Sequence, residues 1–201
     1  MERLILFAHG AGAPSSSAWM QRWAGRLETL GSVVCFDYPY MARGARRPDP
    51  QASLIEAHRA ALAAARSRLD GAPIVLAGKS MGSRIGCHVA NLEPVSALVC
   101  FGYPLKGAGA TGKLRDQVLL ELTTPILFVQ GTRDPLCPLE LLESVRSKMA
   151  APNELYVVEG GDHSLEIGRG KRGRDERLER VEVPIRDVIR GFLDRFARAG
   201  A

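Results

Sequence analysis

Residues 73–82 read PIVLAGKSMG, a short apolar run that leads into a serine with a glycine two positions to either side. A G-x-S-x-G motif between a strand and a helix places its serine on a tight turn at the head of the helix. Glycines 78 and 82 carry no Cβ atoms that would clash where strand and helix crowd together. The stretch therefore predicts a strand over 73–77, a helix over 80–90 and an accessible Ser80 hydroxyl. A glycine-rich turn whose serine merely caps the helix is the alternative.

The same alternation of strand and helix patterns runs along the rest of the chain. Further apolar runs, each bounded by Gly, Pro or Asp, predict strands buried on both faces at 3–8, 32–37, 95–101, 125–130 and 154–158. Helical patterns lie between them at 17–30, 53–70, 138–149 and 184–198. We expect Ser53 and Glu56 to form a capping box at the start of helix 53–70. Alternating strands and helices predict a three-layer α/β/α sandwich with a mainly parallel sheet.

Length and composition exclude several classes of protein. The 201 residues, 46% apolar and 24% charged, predict one globular domain over 1–201. No apolar stretch reaches the roughly 18–20 residues of a membrane span, and the N-terminus lacks the run of about 7–15 apolar residues of a signal peptide. We therefore expect a cytoplasmic protein with no membrane partner. The four cysteines lack metal-ligand spacing and are expected to be reduced thiols, and no motif predicts a metal or a cofactor.

The net charge of +5 comes from two segments of the chain. Residues 41–50 hold three arginines against one aspartate, and residues 168–180 hold six basic against three acidic side chains. Both segments follow predicted strands, so they would bring positive charge to the rim of a site and attract acidic substrates. Simple solvation of arginine-rich loops is the alternative that we favour. Aromatic side chains are not interleaved with these basic residues, so no nucleic-acid partner is expected.

A serine hydroxyl needs a general base, and in this class of sheet the partners follow the serine in the order Asp or Glu, then His. His163 comes directly after the last predicted strand, so its loop opens at the same edge of the sheet as Ser80. Asp134 follows strand 125–130 and would accept the Nδ1 proton of His163. Asp162 is the competing acid, but side chains of adjacent residues rarely face each other, which favours Asp134.

Two backbone N–H groups are expected to hold the negative charge that develops on a substrate carbonyl. One belongs to Met81, directly after the serine. The other comes from the small-residue loop after the first strand, where Ala11 is the first choice and Gly12 the second. His9 is expected to brace this loop by hydrogen bonding rather than to act as a base. Residues that follow strand ends are expected to line the substrate pocket: Tyr40, Met41, Phe101, Tyr103 and Leu136.

Several segments together resemble the α/β-hydrolase superfamily. They are FAHGAGA at 7–13, YPYM at 38–41 with RRPD at 46–49, GKSMG at 78–82, QGTRD at 130–134 and GDHS at 161–164. The similarity covers residues 3 to about 198 and is closest to a compact group of dienelactone-hydrolase-like and testis-expressed hydrolase-like proteins. It implies a hydrolase sheet trimmed to six strands, with Ser80 as nucleophile, Asp134 as acid and His163 as base. This chain has Ser83 where the group's pattern has glycine.

The function expected from these features is that of a serine hydrolase, specifically a carboxylesterase for small soluble esters that works through an acyl-enzyme. Only about 20 residues separate the fourth predicted strand from the fifth, too few for a lid domain, so the site should be open. A thioesterase and a dienelactone-type lactonase are enzymatic alternatives. A noncatalytic interaction protein on a hydrolase scaffold is the alternative from another class, and the complete set of serine, acid and histidine favours catalysis.

Overall fold

A computed structural model describes residues 3–67, 71–107, 112–168 and 173–198 of the chain. Its strands are β1 (Leu4–Ala8), β2 (Ser32–Phe36), β3 (Ile74–Lys79), β4 (Ala97–Phe101), β5 (Ile126–Gly131) and β6 (Asn153–Val158). They form one parallel sheet in the order β2-β1-β3-β4-β5-β6. The chain adds β2 on one side of β1 and then returns to add β3 and the later strands on the other side, so the order of strands switches between β1 and β3. In parallel sheets the crevice at such a switch point, beyond the carboxyl ends of the strands, is where ligands bind.

Helices cover both faces of this sheet. They are α1 (Ala18–Leu27), α2 (Pro39–Ala42), α3 (Gln51–Arg66), α4 (Met81–Ala90), α5 (Gln117–Leu120), α6 (Leu139–Arg146) and α7 (Arg174–Phe196). Apolar residues of α3, α4 and α6 pack in one core cluster, and those of α1 and α7 pack in the other. The predicted three-layer α/β/α fold with a parallel sheet is confirmed. None of the helices described combines the length and the apolar character needed to span a membrane.

The strands differ in burial according to their place in the sheet. β1, β4 and β5 are buried throughout, and successive residues of β1 alternate between the two core clusters. β2 and β6 occupy the two edges and are mostly half-buried. The expectation that every strand is buried on both faces is therefore wrong for these two, because an edge strand has a neighbour on one side only.

The predicted capping box at Ser53 and Glu56 is not present. Helix α3 begins at Gln51, directly after Pro50, and no side chain caps it. Ser53 and Glu56 therefore lie inside the helix, beyond the position where a capping side chain reaches free N–H groups. Residues 68–70 of the predicted helix 53–70 lie outside the described residues.

The last helix is longer than its sequence pattern predicts. It begins at Arg174, well before the predicted start at Pro184, and Pro184 lies in its interior. Proline lacks the N–H for a helical hydrogen bond, so the sequence is typical of a helix start at this residue. Buried Glu182 accepts a hydrogen bond of 2.6 Å from each of Arg22 and Arg26, which fastens the first half of α7 to α1.

Candidate active site

Ser80 occupies a strained turn between β3 and α4. Its φ of 51° and ψ of −110° lie where side chains other than glycine are rarely found, which costs about 1–3 kcal/mol. The Ser80 N–H donates to the Phe101 carbonyl at 2.9 Å. A Cβ at Gly78 would collide with the backbone of Gly82, and a Cβ at Gly82 would collide with the Ala8 carbonyl. Both glycines of the motif are therefore required by the close approach of β1, β3 and α4.

Ser83, which stands where the group's pattern has glycine, reinforces this turn. Its side chain is buried, and its Oγ donates to the Gly78 carbonyl at 2.5 Å. The bond ties the first turn of α4 to the end of β3, so the departure from the pattern strengthens the support of Ser80.

Ser80, His163 and Asp134 form a continuous chain of hydrogen bonds. Ser80 Oγ lies 2.8 Å from His163 Nε2, and His163 Nδ1 lies 2.7 Å from Asp134 Oδ2. The three side chains follow β3, β6 and β5, whose carboxyl ends meet at one edge of the sheet. The structure thus brings together the three residues that the sequence order selects. Chemically, the arrangement can move a proton from the serine to the imidazole while a carboxylate holds the ring.

The surroundings of Asp134 favour the ionised form of its carboxyl group. Burial raises the pKa of its carboxyl group, but hydrogen bonds from His163, the Leu136 N–H and Gln130 together outweigh burial and hold the pKa below its usual value. The Leu136 N–H donates to Oδ1 at 2.9 Å, and Gln130 Nε2 donates to Oδ2 at 2.6 Å. Gln130 was not predicted from the sequence, although a single polar residue near the end of the apolar strand β5 was a usable signal.

Asp162, the competing acid, has a different role. Its Oδ1 accepts hydrogen bonds from the N–H groups of Ser164 at 2.7 Å and Glu166 at 3.1 Å. These bonds fold the loop that carries His163 back on itself. Asp162 therefore shapes the loop, and Asp134 is the acid in contact with the ring.

Neighbouring elements hold the His163 loop in place. Trp19 on α1 donates from Nε1 to the Ser164 carbonyl at 2.9 Å, and Lys79 Nζ donates to the His163 carbonyl. Lys79 also lies 5.2 Å from the centre of the Trp19 ring, and its burial lowers the pKa of the ammonium group to about 8. A Cβ at Gly102, where φ is 62°, would lie 2.7 Å from the His163 carbonyl oxygen. The ring position therefore depends on this glycine and on two side chains that the sequence analysis did not select for it.

His9 supports the loop after β1 by hydrogen bonding, as expected. The ring is fully buried, Nε2 accepts from the Tyr38 N–H at 3.1 Å, and Nδ1 lies 2.6 Å from the Gly10 carbonyl. Burial also lowers the pKa of His9. Tyr40, expected in the substrate pocket, is fully buried as well, and its hydroxyl donates to the Ala11 carbonyl at 3.1 Å. Tyr40 supports this loop instead of lining a pocket.

Two backbone N–H groups beside Ser80 have no acceptor within the described part of the chain. Met81 is the first residue of α4, and the first N–H groups of a helix have no partner inside it. The Ala11 N–H is also unbonded, and Ala11 lies against Ser80 in the pockets described below. Gly12, the second choice from the sequence, is exposed, and a Cβ there would meet nothing within 4 Å.

Comparison with known proteins identifies the family of the chain. The model of a protein family described as an alpha/beta hydrolase domain matches residues 1–196. This chain belongs to the α/β-hydrolase family. The match spans all six strands and every residue of the Ser80–His163–Asp134 chain.

Solved structures show the same α/β-hydrolase fold at low sequence identity. An alpha-beta serine hydrolase homologue from Coxiella burnetii is 21% identical with a TM-score of 0.73, over 95% of this chain and 85% of that chain. A dienelactone hydrolase from Anabaena variabilis is 17% identical with a TM-score of 0.73, over 98% and 88% of the two chains. A serine hydrolase without a lid from Xanthomonas campestris is 16% identical with a TM-score of 0.71, over 98% and 84%.

Two pockets of this α/β-hydrolase meet at Ser80 and Ala11. The apolar pocket, about 370 Å³, is lined by Trp19, Met20 and Ala13, together with His163 and Lys79. The basic pocket, about 330 Å³, is lined by Arg84, Lys106 and Arg115, together with Met81, Asp49 and Leu136. Leu136 is thus placed in a pocket, as expected. Met41 lines neither pocket and packs against the core, and Phe101 and Tyr103 are fully buried.

The two basic segments of the sequence contribute little to either pocket. Arg43 pairs with Asp49 at 2.8 Å, while Arg46 and Arg47 are exposed. Residues 169–172 of the second segment lie outside the described residues, and Arg174 pairs with Glu166 at 3.0 Å. The positive charge beside Ser80 comes instead from isolated residues elsewhere in the sequence.

Neither metal nor disulfide chemistry has a site in the described ranges. No three His, Cys, Asp or Glu side chains there converge to hold a metal ion. All four cysteines are described and unpaired, as the sequence predicts.

Proposed function

We propose that this α/β-hydrolase is a serine hydrolase that cleaves small carboxylic esters through an acyl-enzyme. The observation that carries the proposal is the unbroken chain from Ser80 Oγ through His163 to Asp134, with links of 2.8 and 2.7 Å. In the first step Oγ attacks the ester carbonyl while His163 Nε2 takes its proton. Asp134 holds the ring in the required tautomer and stabilises the imidazolium that forms.

The tetrahedral intermediate carries its negative charge on the former carbonyl oxygen. The unbonded N–H groups of Met81 and Ala11 would donate to that oxygen, as preorganised donors do in acyl transfer. When the intermediate collapses, the C–O bond to the alcohol breaks and His163 gives its proton to the leaving oxygen. Water then attacks the acyl carbonyl with His163 as base, which releases the carboxylic acid and restores Ser80.

The backbone strain at Ser80 supports catalysis over a purely structural role. A positive φ at a residue other than glycine persists where the surroundings enforce it, and such residues cluster at active sites. The glycines at 78 and 82 and the bond from Ser83 enforce it in this chain. A noncatalytic interaction scaffold would gain nothing from this arrangement. The serine hydrolase and dienelactone hydrolase among the similar structures support the same class of reaction.

The decisive experiment is covalent labelling with a fluorophosphonate, read by intact mass. We expect one adduct on the wild-type protein and none on Ser80→Ala. Ser164→Ala is the matched control, because Ser164 lines the same apolar pocket but contributes only backbone atoms to the contacts around His163. It should be labelled like the wild type. A folded wild-type protein without an adduct would contradict the proposal and favour the interaction scaffold.

A further inference from the structure

The basic pocket concentrates positive charge beside the proposed nucleophile. Arg84 comes from α4, Lys106 from the loop after β4 and Arg115 from the segment before α5. Within the described ranges, none of the three forms an ion pair with a carboxylate. The acidic residue that lines the same pocket, Asp49, is already paired with Arg43. The charged side chains that line the pocket are therefore three cations and one carboxylate that is already paired with Arg43.

Arg84 is directed at the substrate side by its place on the helix. The backbone N–H of Arg84 donates to the Ser80 carbonyl at 3.2 Å, one helical turn away. Residues four apart share a helix face, and helical side chains lean toward the N-terminus, so Arg84 leans toward Ser80. One terminal nitrogen donates to Gln51 Oε1, while the buried Nε has no partner in the part of the chain that the structure describes. A buried N–H without an acceptor costs free energy.

Hydrogen bonds hold the backbone that carries the other two cations, Lys106 and Arg115. The Lys106 N–H donates to the Leu136 carbonyl at 2.8 Å, and the Arg115 N–H donates to the Leu105 carbonyl at 2.8 Å. The Arg115 carbonyl also accepts from the Tyr103 hydroxyl at 2.9 Å. Burial, and then the nearby positive charge of Arg115, lower the pKa of Arg84.

The position of His163 decides which half of an ester enters this pocket. His163 must reach the leaving oxygen in order to protonate it, and it lines the apolar pocket but not the basic pocket. The alcohol half therefore lies in the apolar pocket. The acyl half extends past Met81 into the basic pocket.

We propose that the acyl group of the substrate ends in an anionic oxygen group, a carboxylate or a phosphate, which Arg84, Arg115 and Lys106 bind in the basic pocket. The inference rests on the proposed hydrolase function and narrows its substrate class. The reaction remains hydrolysis of one ester bond. Water is consumed, the alcohol leaves, and the acid product carries a second anionic group.

The test uses matched 4-nitrophenyl esters whose linear acyl chains have the same length and end in a carboxylate, a phosphonate or a neutral carboxamide. We expect kcat/KM for one of the anionic esters to exceed that for the carboxamide by about 10–100-fold, because charge-assisted hydrogen bonds are the strong ones. The carboxylate and phosphonate esters distinguish the two sources of the anion. Arg84→Gln and Arg115→Gln should each reduce the anionic-to-neutral ratio by about tenfold.

Control variants separate this inference from the function on which it rests. Arg190→Gln makes the same chemical change on α7, in the layer that covers the other face of the sheet, and should leave the ratio unchanged. Arg84→Glu should lower the anionic-to-neutral ratio further than Arg84→Gln does, because it adds a negative charge to the pocket as well as removing a positive one. Equal rates for all three esters, in a protein that the fluorophosphonate labels, would overturn the inference and leave the hydrolase proposal standing. A ratio that neither glutamine variant changes would also overturn it. A folded protein that is neither labelled nor active would overturn both proposals.

Discussion

The apolar pocket and the basic pocket have similar volumes, about 370 and 330 Å³, and differ in their cations: Lys79 lines the first, whereas Arg84, Lys106 and Arg115 line the second. Trp19 and Met20 come from α1, which packs on one face of the sheet, whereas Arg84 comes from α4 on the other face. Ser80 and Ala11 are shared by both pockets. Ser80 therefore lies between two pockets whose side chains come from helices on opposite faces of the sheet. Under the proposed mechanism, alcohol and acyl specificity should therefore be open to independent change.

The largest effects are expected at the residues proposed to cleave the ester bond, because they act on every ester whatever group occupies either pocket. Ser80→Ala should lower kcat/KM on the order of 10⁶-fold for neutral and anionic esters alike, because it removes the attacking oxygen. Asp134→Asn, which keeps the serine and the ring, should cost about 10⁴-fold. Both losses are measured with the carboxylate and the carboxamide ester. A loss confined to one of the two esters would break the view that Ser80 is common to both pockets.

Displacing the His163 loop should reduce turnover without altering acyl preference. Gly102→Ala introduces a Cβ 2.7 Å from the His163 carbonyl at a backbone φ of 62°, so the loop must move. A shift of about 1 Å in a catalytic group costs about 100-fold in rate. We expect kcat to fall by this amount while the anionic-to-neutral ratio is retained. Gly25→Ala on α1, where a Cβ meets nothing within 4 Å, is the control and should leave kcat unchanged.

Trp19→Ala should lower turnover of every ester through the His163 loop and, in addition, weaken binding of a bulky alcohol group. The substitution widens the apolar pocket and removes the hydrogen bond to the Ser164 carbonyl. We expect kcat/KM for aryl esters to fall about tenfold relative to methyl esters of the same acid, since the lost ring contacts stabilise the bulkier alcohol. Trp19→Phe keeps a ring without the donor and separates packing from hydrogen bonding. An equal loss for both alcohols would show that Trp19 acts only through the His163 loop.

Lowering the pH should reduce the free energy of unfolding through His58, which is buried between α3 and α4. His58 on α3 lies against Gly86 of α4, and burial lowers its pKa to about 3, far below the ordinary value of 6.5. As pH falls from 6.5 toward 3, the unfolded chain binds a proton at His58 that the folded chain does not. Stability is therefore lost over this window, by about 1.4 kcal/mol per pH unit. Urea unfolding at pH 7 and pH 5 should show a smaller loss for His58→Gln than for the wild type. Equal losses would contradict burial of a neutral ring.

Salt should produce the smallest effect and distinguish the pockets by charge. Raising ionic strength from about 0.02 to about 0.5 M screens attraction between the cations and an incoming anion. We expect kcat/KM for the anionic ester to fall about threefold, with no change for the carboxamide ester. Parallel behaviour of the two esters would indicate that the basic pocket does not steer the substrate.

The sheet and the Ser80–His163–Asp134 chain could be predicted from the sequence because both follow from local patterns. Apolar runs ended by Gly, Pro or Asp marked all six strands, and the carboxyl ends of parallel strands share one edge. The order of the three residues then placed them together. Tyr40 was misplaced because the direction of a side chain after a strand depends on packing, and here the ring turns inward under Ala11.

The basic pocket could not be predicted because its cations are scattered along the chain. Arg84, Lys106 and Arg115 belong to different segments, and none stands out in a count of charge along the sequence. That count selected 41–50 and 168–180, and of their described arginines Arg43 and Arg174 pair with acids while Arg46 and Arg47 are exposed. Only the folded chain shows which cations share a pocket and lack an acidic partner. The predicted helix start at Pro184 was wrong for a related reason, since the long-range pairs of Glu182 with α1 hold the preceding turns.

The contacts of Trp19 also give the protein an optical signal. Its indole lines the apolar pocket, lies 5.2 Å from the Lys79 ammonium and donates to the Ser164 carbonyl, whereas the chain's other tryptophan, Trp23, is almost wholly buried. Indole emission depends on the polarity of its surroundings and on nearby charge. Under the proposed mechanism, an alcohol group that enters the apolar pocket would therefore change the light emitted by Trp19. In a Trp23→Phe protein, fluorescence alone would follow the arrival of the alcohol half and its departure, without a label on either.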